Sequence, residues 1–590
     1  FSEGGAAVKR PIRMTVLIGT MAGLLALPLT AAAQEPPPPE VSTFTYTPNM
    51  HPLGHSARIP QGGRFNSDLA FWGKTAYQGT YEGFRIIDIT EVDNPVELNN
   101  YADCAPGSTA GNQGDVIIWR HILVRSWNSN TGAAGSSCDG DFVPPGFEGL
   151  HVFDVSNPAD PDLVASVDLV QGSHTATGVP DLANNRLLVY NSASSGANPG
   201  IDIVEVPLNA PQNAALLRFE PSGDPSVGGG LPNLVTIDAP SSAAGVYGAS
   251  GAAFGPLPPA SGIAGEVVLV NDGTDTVTDG CESFALAAGA IALIDRGTCG
   301  FVVKVANAQA AGASAVIVAN NAPGVPGTMG GEDPTITIPS VMVSQADGAT
   351  IKAGLPATGT VALNTVAPRS CHDTGVILGD AMLASCAGGN GFSVWSMDPA
   401  DGGSLVDPAL LYSKPVAGVS IGHSASFSWD GETLIFGHEP GGGGQAQCQA
   451  TSPEVNKTMF FFEARTGAEL GRWVLPRPQT STENCTIHNY NVVPHAKRDV
   501  VVSGNYQSGI SVVDFTNPAS AVEIAYADPA PLSTTSLVVG GDWSSYWYDG
   551  IIYESDITRG FTTWRLSSAR VAGATKLGHL NPQTQEFTIG

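Results

Sequence analysis

Seven short segments of this chain begin on a side chain able to ligate a metal or move a proton: Asp68, Asp115, His174, His372, His423, His488 and Asp542. Each heads a run of mostly apolar or small residues, in chain order SDLAFW, GDVIIW, SHTATG, CHDTGV, GHSASF, IHNYNVV and GDWSSYW. Neutral imidazole and carboxylate are ligands of zinc, copper, iron and manganese. Four His and three Asp at one repeat position therefore predict a divalent or transition metal ion wherever that position converges. Asp373 beside His372, and Glu439 after the strand that follows His423, are placed to join or support such a site. The competing assignment is structural, since a buried polar residue is usually satisfied by a neighbouring strand or loop. Four of only 11 His at one position keep ligation in play. No H-E-x-x-H pair or phosphate-binding Gly-rich loop with its Lys occurs.

The elements that must hold these residues are read from Ile421 to Glu439, IGHSASFSWDGETLIFGHE. His423 opens a strand over 424–428, Asp430-Gly431 makes a two-residue turn, and a second strand returns over 433–437. Third and fourth strands follow over 459–463 and 470–475. The third strand recurs as GFRIIDITEVDNP from Gly83, GLHVFDVSNPADP from Gly149, GIDIVEVPLNAP from Gly200, GFSVWSMDPADG from Gly391, TMFFFEARTG from Thr458, GISVVDFTNPAS from Gly509 and GFTTWRLSS from Gly560. Seven copies of a four-stranded antiparallel unit predict a mainly β fold, a seven-bladed β-propeller. The seven His and Asp then head the inner strands and crowd one mouth of the central channel.

These third strands, GLHVFDVSNPADP and GISVVDFTNPAS above all, resemble the LVIVD repeat family of secreted bacterial β-propellers. The resemblance implies the propeller and little biochemistry. Blade 5 departs from it, with FFFEARTG in place of the D-x-[ST]-N-P turn. Between blades 3 and 4 the composition shifts to Ala, Gly and Val and the pattern to strand-helix-strand. Residues 292–318, ALIDRGTCGFVVKVANAQAAGASAVIV, with IPSVMVSQADGATIKAG from Ile338, resemble the protease-associated (PA) domain. That resemblance implies a small inserted α/β domain used elsewhere to bind peptides, cover active sites or mediate contacts. It does not imply a protease. An insertion at an outer-to-inner strand connection is expected to overhang the mouth where the inner strands begin. The expected domains are a signal peptide over 1–33, a Pro-rich spacer and N-terminal segment over 34–60, blades 1–3 over 61–232, the PA insertion over 233–366 and blades 4–7 over 367–590.

Lys9, Arg10 and Arg13, an apolar core over 15–29 and Ala31-Ala32-Ala33 compose that signal peptide, predicting a secreted, periplasmic or cell-surface protein after cleavage near Ala33. No second long apolar stretch follows, so no membrane span is expected in the mature chain. A net charge of −28, from 26 Lys+Arg against 54 Asp+Glu, argues against a nucleic-acid partner. Eight cysteines in an exported chain predict disulfides, paired locally as Cys104–Cys138, Cys281–Cys299, Cys371–Cys386 and Cys448–Cys485. Two functions from different classes fit. One is a binding or scaffold protein whose PA domain contributes to recognition of an extracellular protein, peptide or glycan. The alternative is a metal-dependent enzyme, an oxidoreductase by fold analogy, with its site at the channel mouth and the PA domain as lid. Binding is the more conservative of the two.

Overall fold

Each predicted inner strand takes the innermost place among the four strands of its own blade. The structure, a computed structural model, describes residues 41–589 except 58–64, 105–112, 129–133, 170–171, 193–199, 222–230, 232, 240, 253, 275, 325, 332 and 365–370. The expected signal peptide over 1–33, and residues 34–40 and 58–60 of the expected spacer and N-terminal segment, lie outside the described residues. The inner strands are Asn66–Trp72, Val116–Trp119, Ala176–Asp181, Asp373–Ile377, Gly422–Phe427, Tyr490–Val492 and Asp542–Tyr548. Each pairs outward through two further antiparallel strands to an edge strand, giving the seven-bladed β-propeller.

Local chemistry explains the blade. In blade 5 the hairpin turns at Asp430-Gly431, where Gly431 has φ +75° and Asp430 Oδ1 accepts from Glu432 N at 3.0 Å. A third strand ends where its Asp side chain caps the residue two further on. Asp88 accepts from Thr90 N at 2.8 Å, Asp154 from Ser156 N at 2.8 Å and Asp514 from Thr516 N at 3.0 Å. Blade 5, which lacks that Asp, uses Glu463 Oε2 to accept from Thr466 N at 2.7 Å. Two residue pairs into the outer hairpin, or one in blade 5, blades 1 to 6 each carry a register shift between third and fourth strands. Such a bulge raises the twist and turns the edge strand away from in-line pairing.

Seven apolar clusters, one between each pair of neighbouring blades, hold the ring together. Fully burying a Val, Leu, Ile or Phe side chain is worth about 1.5–3 kcal/mol, so no blade is stable without its neighbours. Closure comes from the N-terminal side: Met50–Ala57 is the outermost strand of blade 7, paired with Gly560–Leu566. Thr45–Tyr46 adds to the edge of blade 6 instead. The C-terminal segment plugs the far end of the channel. His579–Leu580 pair with Phe71 and Trp72, Asn581 hydrogen-bonds both backbone groups of Ile118, and Thr584–Gln585 pair with Val376 and Ile377.

The insertion is a closed barrel of seven strands between Asn233 and Leu363. Its parallel strands Ile263–Leu269, Ile291–Asp295, Ala315–Ala319 and Ser340–Val343 carry the helices Phe301–Ala310 and Gln345–Ala353 on their connections. All four expected disulfides form. No helix among the described residues is long and apolar enough to cross a membrane.

Candidate metal centre

The four histidines form one continuous arc. Ring centroids are 3.9 Å apart for His174–His372, 4.1 Å for His372–His423 and 4.2 Å for His423–His488. Burial holds all four neutral. His174 is lowered to about 4 and His488 to about 3, while His372 and His423 fall well below the usual imidazole range because neighbouring imidazoles add to desolvation.

Hydrogen bonds assign the protons. His488 Nδ1 lies 2.6 Å from the Trp543 carbonyl, so it carries the hydrogen and leaves Nε2 bare. Ser424 Oγ donates to the His488 carbonyl or to Asn489 Oδ1, both at 3.3 Å, and so accepts from His423 Nδ1 at 2.6 Å. His423 Nε2 is then also bare. Asn128 Oδ1 accepts from Gln113 N at 2.8 Å, which turns the Asn128 amide nitrogen toward His174 Nδ1 at 3.0 Å. His174 is therefore protonated on Nε2. His372 Nδ1 is buried with no hydrogen-bond partner.

Glu439 faces the bare nitrogens, with Oε2 3.8 Å from His423 Nε2 and Oε1 3.6 Å from His488 Nε2. Its Oε1 accepts from the Tyr506 hydroxyl at 2.6 Å. Burial raises its carboxyl to about 7, against the lowering effect of that hydrogen bond. Ligand atoms of His372, His423 and Glu439 all lie within 4.8 Å of one another. Tetrahedral ligands about 2.1 Å from an ion sit about 3.4 Å apart, so these two imidazoles and this carboxylate fit a first-row divalent metal after contraction, with His488 Nε2, 3.6 Å from Glu439 Oε1, beside them.

Of the predicted residues, His174, His372, His423 and His488 come together. Asp68 and Asp115 line the same small cavity as Asp373 on the side toward the C-terminal plug. Asp542 does not join them; its Oδ2 accepts from Ser545 at 2.6 Å. Its backbone exchanges two hydrogen bonds with Tyr506, holding that residue at φ +54° in the left-handed region that non-glycine residues rarely adopt. Asp542 therefore positions Tyr506. A repeated triplet marks Tyr506 and Glu439 in the sequence: Gly437-His438-Glu439 and Gly504-Asn505-Tyr506 end the second strands of blades 5 and 6. Asn128 and Gln583 carry no such signal.

Residues 262–351 match the PA domain family and residues 141–169 the LVIVD repeat. The chain is thus a seven-bladed β-propeller with an LVIVD repeat and an inserted PA domain. It is similar to leucine aminopeptidase 2 of Arthroderma otae, 33% identical over 182 residues, which are 29% of this chain and 36% of the relative. It is also similar to vacuolar-sorting receptor 1 of Pisum sativum, 34% identical over 132 residues, 20% of this chain and 21% of that protein. The chain thus spans about a third or less of either relative. Among solved structures, the computationally designed Ika8 protein aligns with 88% of this chain and 99% of its own at 11% identity and a TM-score of 0.36.

Proposed function

We propose that this protein is a metal-dependent enzyme of the exported compartment, in which His372, His423, His488 and Glu439 hold one divalent first-row transition ion at the channel mouth. One observation carries the reading: two bare imidazole nitrogens and a carboxylate face each other at 3.6–3.8 Å with no hydrogen assigned between them. Such a set of lone pairs is mutually repulsive without a cation, and buried charge is ordinarily paired or metal-bound. His174 Nε2–H borders the arc as a proton donor toward a group bound there, while the Tyr506 hydroxyl is committed to Glu439 Oε1. The signal-peptide pattern and the four disulfides support export.

The inserted domain supports a second reading, recognition of an extracellular protein, peptide or glycan. It leaves blade 3 after Pro221 and returns at Cys371, immediately before His372, which suits a lid or recognition element beside the site. The name of the pea relative, a sorting receptor, fits a role in protein binding. Elemental analysis of the mature protein after mild dialysis, beside His423→Ala, tests the metal reading. One transition ion per chain, lost in the variant, is expected; substoichiometric metal in the unaltered protein rejects it and leaves recognition.

A further inference from the structure

The inserted domain carries a group of ligands built only of oxygen. Asp272, Asp279 and Glu282 lie on the connection between the barrel strands Ile263–Leu269 and Ile291–Asp295. One oxygen from each lies within 4.8 Å of the other two. The connection is anchored at several points. Asp272 N donates to the Val277 carbonyl at 2.9 Å, and Asn307 Nδ2, from the helix Phe301–Ala310, donates to the carbonyls of Gly280 and Cys281 at 3.0 Å. Cys281 is bridged to Cys299, just before that helix.

Hydrogen bonds leave this group short of positive charge. Asp272 is only 9% exposed, and its Oδ2 is buried with no hydrogen-bond partner, while Oδ1 faces Thr274 N at 3.4 Å. A buried carboxylate oxygen without a donor or a cation costs free energy. Asp279, 2% exposed, accepts from Cys281 N at 3.0 Å, and Glu282 Oε2 accepts from the Thr274 hydroxyl at 2.9 Å. Burial pushes the Asp279 carboxyl up, but hydrogen bonds from Thr298 and Cys281 N and the nearby Lys304 ammonium hold it below the usual carboxylate range, so it is ionised at neutral pH. Lys304 Nζ donates to the Asp279 backbone carbonyl instead of to a carboxylate. None of the ion pairs among the described residues involves Asp272, Asp279 or Glu282. Three carboxylates beside one ammonium leave two negative charges, the complement of one divalent ion.

We propose that Asp272, Asp279 and Glu282 bind one Ca2+ in the inserted domain, with water completing its shell on the open side, where Glu282 is exposed. Ca2+ holds six to eight oxygens at about 2.3–2.6 Å, so two of its ligands stand up to about 5 Å apart. Octahedral Mg2+, at about 2.1 Å, spans only about 4.2 Å. The 4.8 Å bound on the three oxygens is therefore the span of a Ca2+ shell. Carboxylates alone, with no imidazole or thiolate among them, suit a hard ion rather than zinc or copper. Such an ion ties Asp272 at the start of the connection to Asp279 and Glu282 at its far side, beside the Cys281–Cys299 bridge. The imidazole arc takes no part, so this site stands or falls separately from the proposed function.

The test is calorimetric titration of the full mature chain with CaCl2 and, separately, with MgCl2, after EGTA treatment and removal of the chelator. The expected result is a saturable Ca2+ equivalent bound at least about tenfold more tightly than Mg2+, weakened at least about tenfold in Asp272→Asn and in Glu282→Gln, and retained in His423→Ala. Glu282→Gln alters an exposed side chain and decides the matter if Asp272→Asn does not fold. Absence of saturable Ca2+ binding, Mg2+ binding as tight as Ca2+, or Ca2+ binding unaltered in either folded variant overturns the proposal. Loss of the Ca2+ equivalent in His423→Ala also overturns it, because the ion would then lie at the imidazole arc.

Discussion

Replacing Glu439 by Gln separates a ligand from a structural hydrogen-bond acceptor, because the two roles give opposite signs. Gln keeps an oxygen for the Tyr506 hydroxyl, now at 2.6 Å from Glu439, and turns an amide N–H toward the bare His423 Nε2, 3.8 Å from the carboxylate. The metal-free protein should therefore gain stability. Burial moves the Glu439 carboxyl from 4.5 to about 7, a displacement worth about 3 kcal/mol once the group is ionised. The sign follows from proton linkage. Between pH 4.5 and about 7 the folded state binds more protons than the unfolded one, so stability falls as pH rises and the full cost is present above about 7. At pH 8, chelator-treated Glu439→Gln is expected to unfold in urea with up to about 3 kcal/mol more stability than the unaltered protein. The same variant should bind the transition ion at least about tenfold more weakly. A metal-free variant that is less stable than the parent, with an unchanged metal response, refutes the reasoning and makes Glu439 a partner of Tyr506 alone.

Other outcomes follow from the same geometry. His151 is buried between Trp127 and Phe147, with ring centroids 5.1 Å from each, and burial lowers it to about 3. Acidification from 6.5 toward 3 should therefore cost stability, by up to about 1.4 kcal/mol per pH unit, and His151→Phe should reduce that slope in urea titrations. Deleting the chain through Ala57 removes the outermost strand of blade 7 and bares the edge of Gly560–Leu566. Size-exclusion chromatography should then show aggregation in place of a monodisperse species. Replacing both Cys448 and Cys485 by Ser releases a link between residues 37 apart, and chemical unfolding should register a loss of about 2–4 kcal/mol.

Much of the architecture was legible in the sequence because a strand repeat leaves a period-2 signature and a fixed turn chemistry. GISVVDFTNP and its siblings located the third strand of every blade, and the cysteine couples followed from local spacing in an exported chain. The inserted α/β domain stood out because its pattern changes to strand-helix-strand. Ring closure was not legible. Met50–Ala57, MHPLGHSA, has no clear alternation and becomes a strand only because the exposed edge of Gly560–Leu566 lies beside it.

The sequence by itself determined that four His and three Asp would head the seven inner strands. Only the tertiary structure decided how they sort. The four imidazoles make an arc at the mouth, Asp68 and Asp115 turn toward the plug, and Asp542 turns back to Ser545 and Tyr506. The physical reason lies in strand geometry: successive side chains point to opposite faces, so the phase at which each strand enters its sheet sets the direction of its first residue. His372 and Asp373, adjacent in sequence, accordingly fall to the imidazole arc and to the side toward the plug. Gln583 reaches Asp68 across 515 residues of chain, a contact that no local pattern encodes and that exists only because the C-terminal segment plugs the channel.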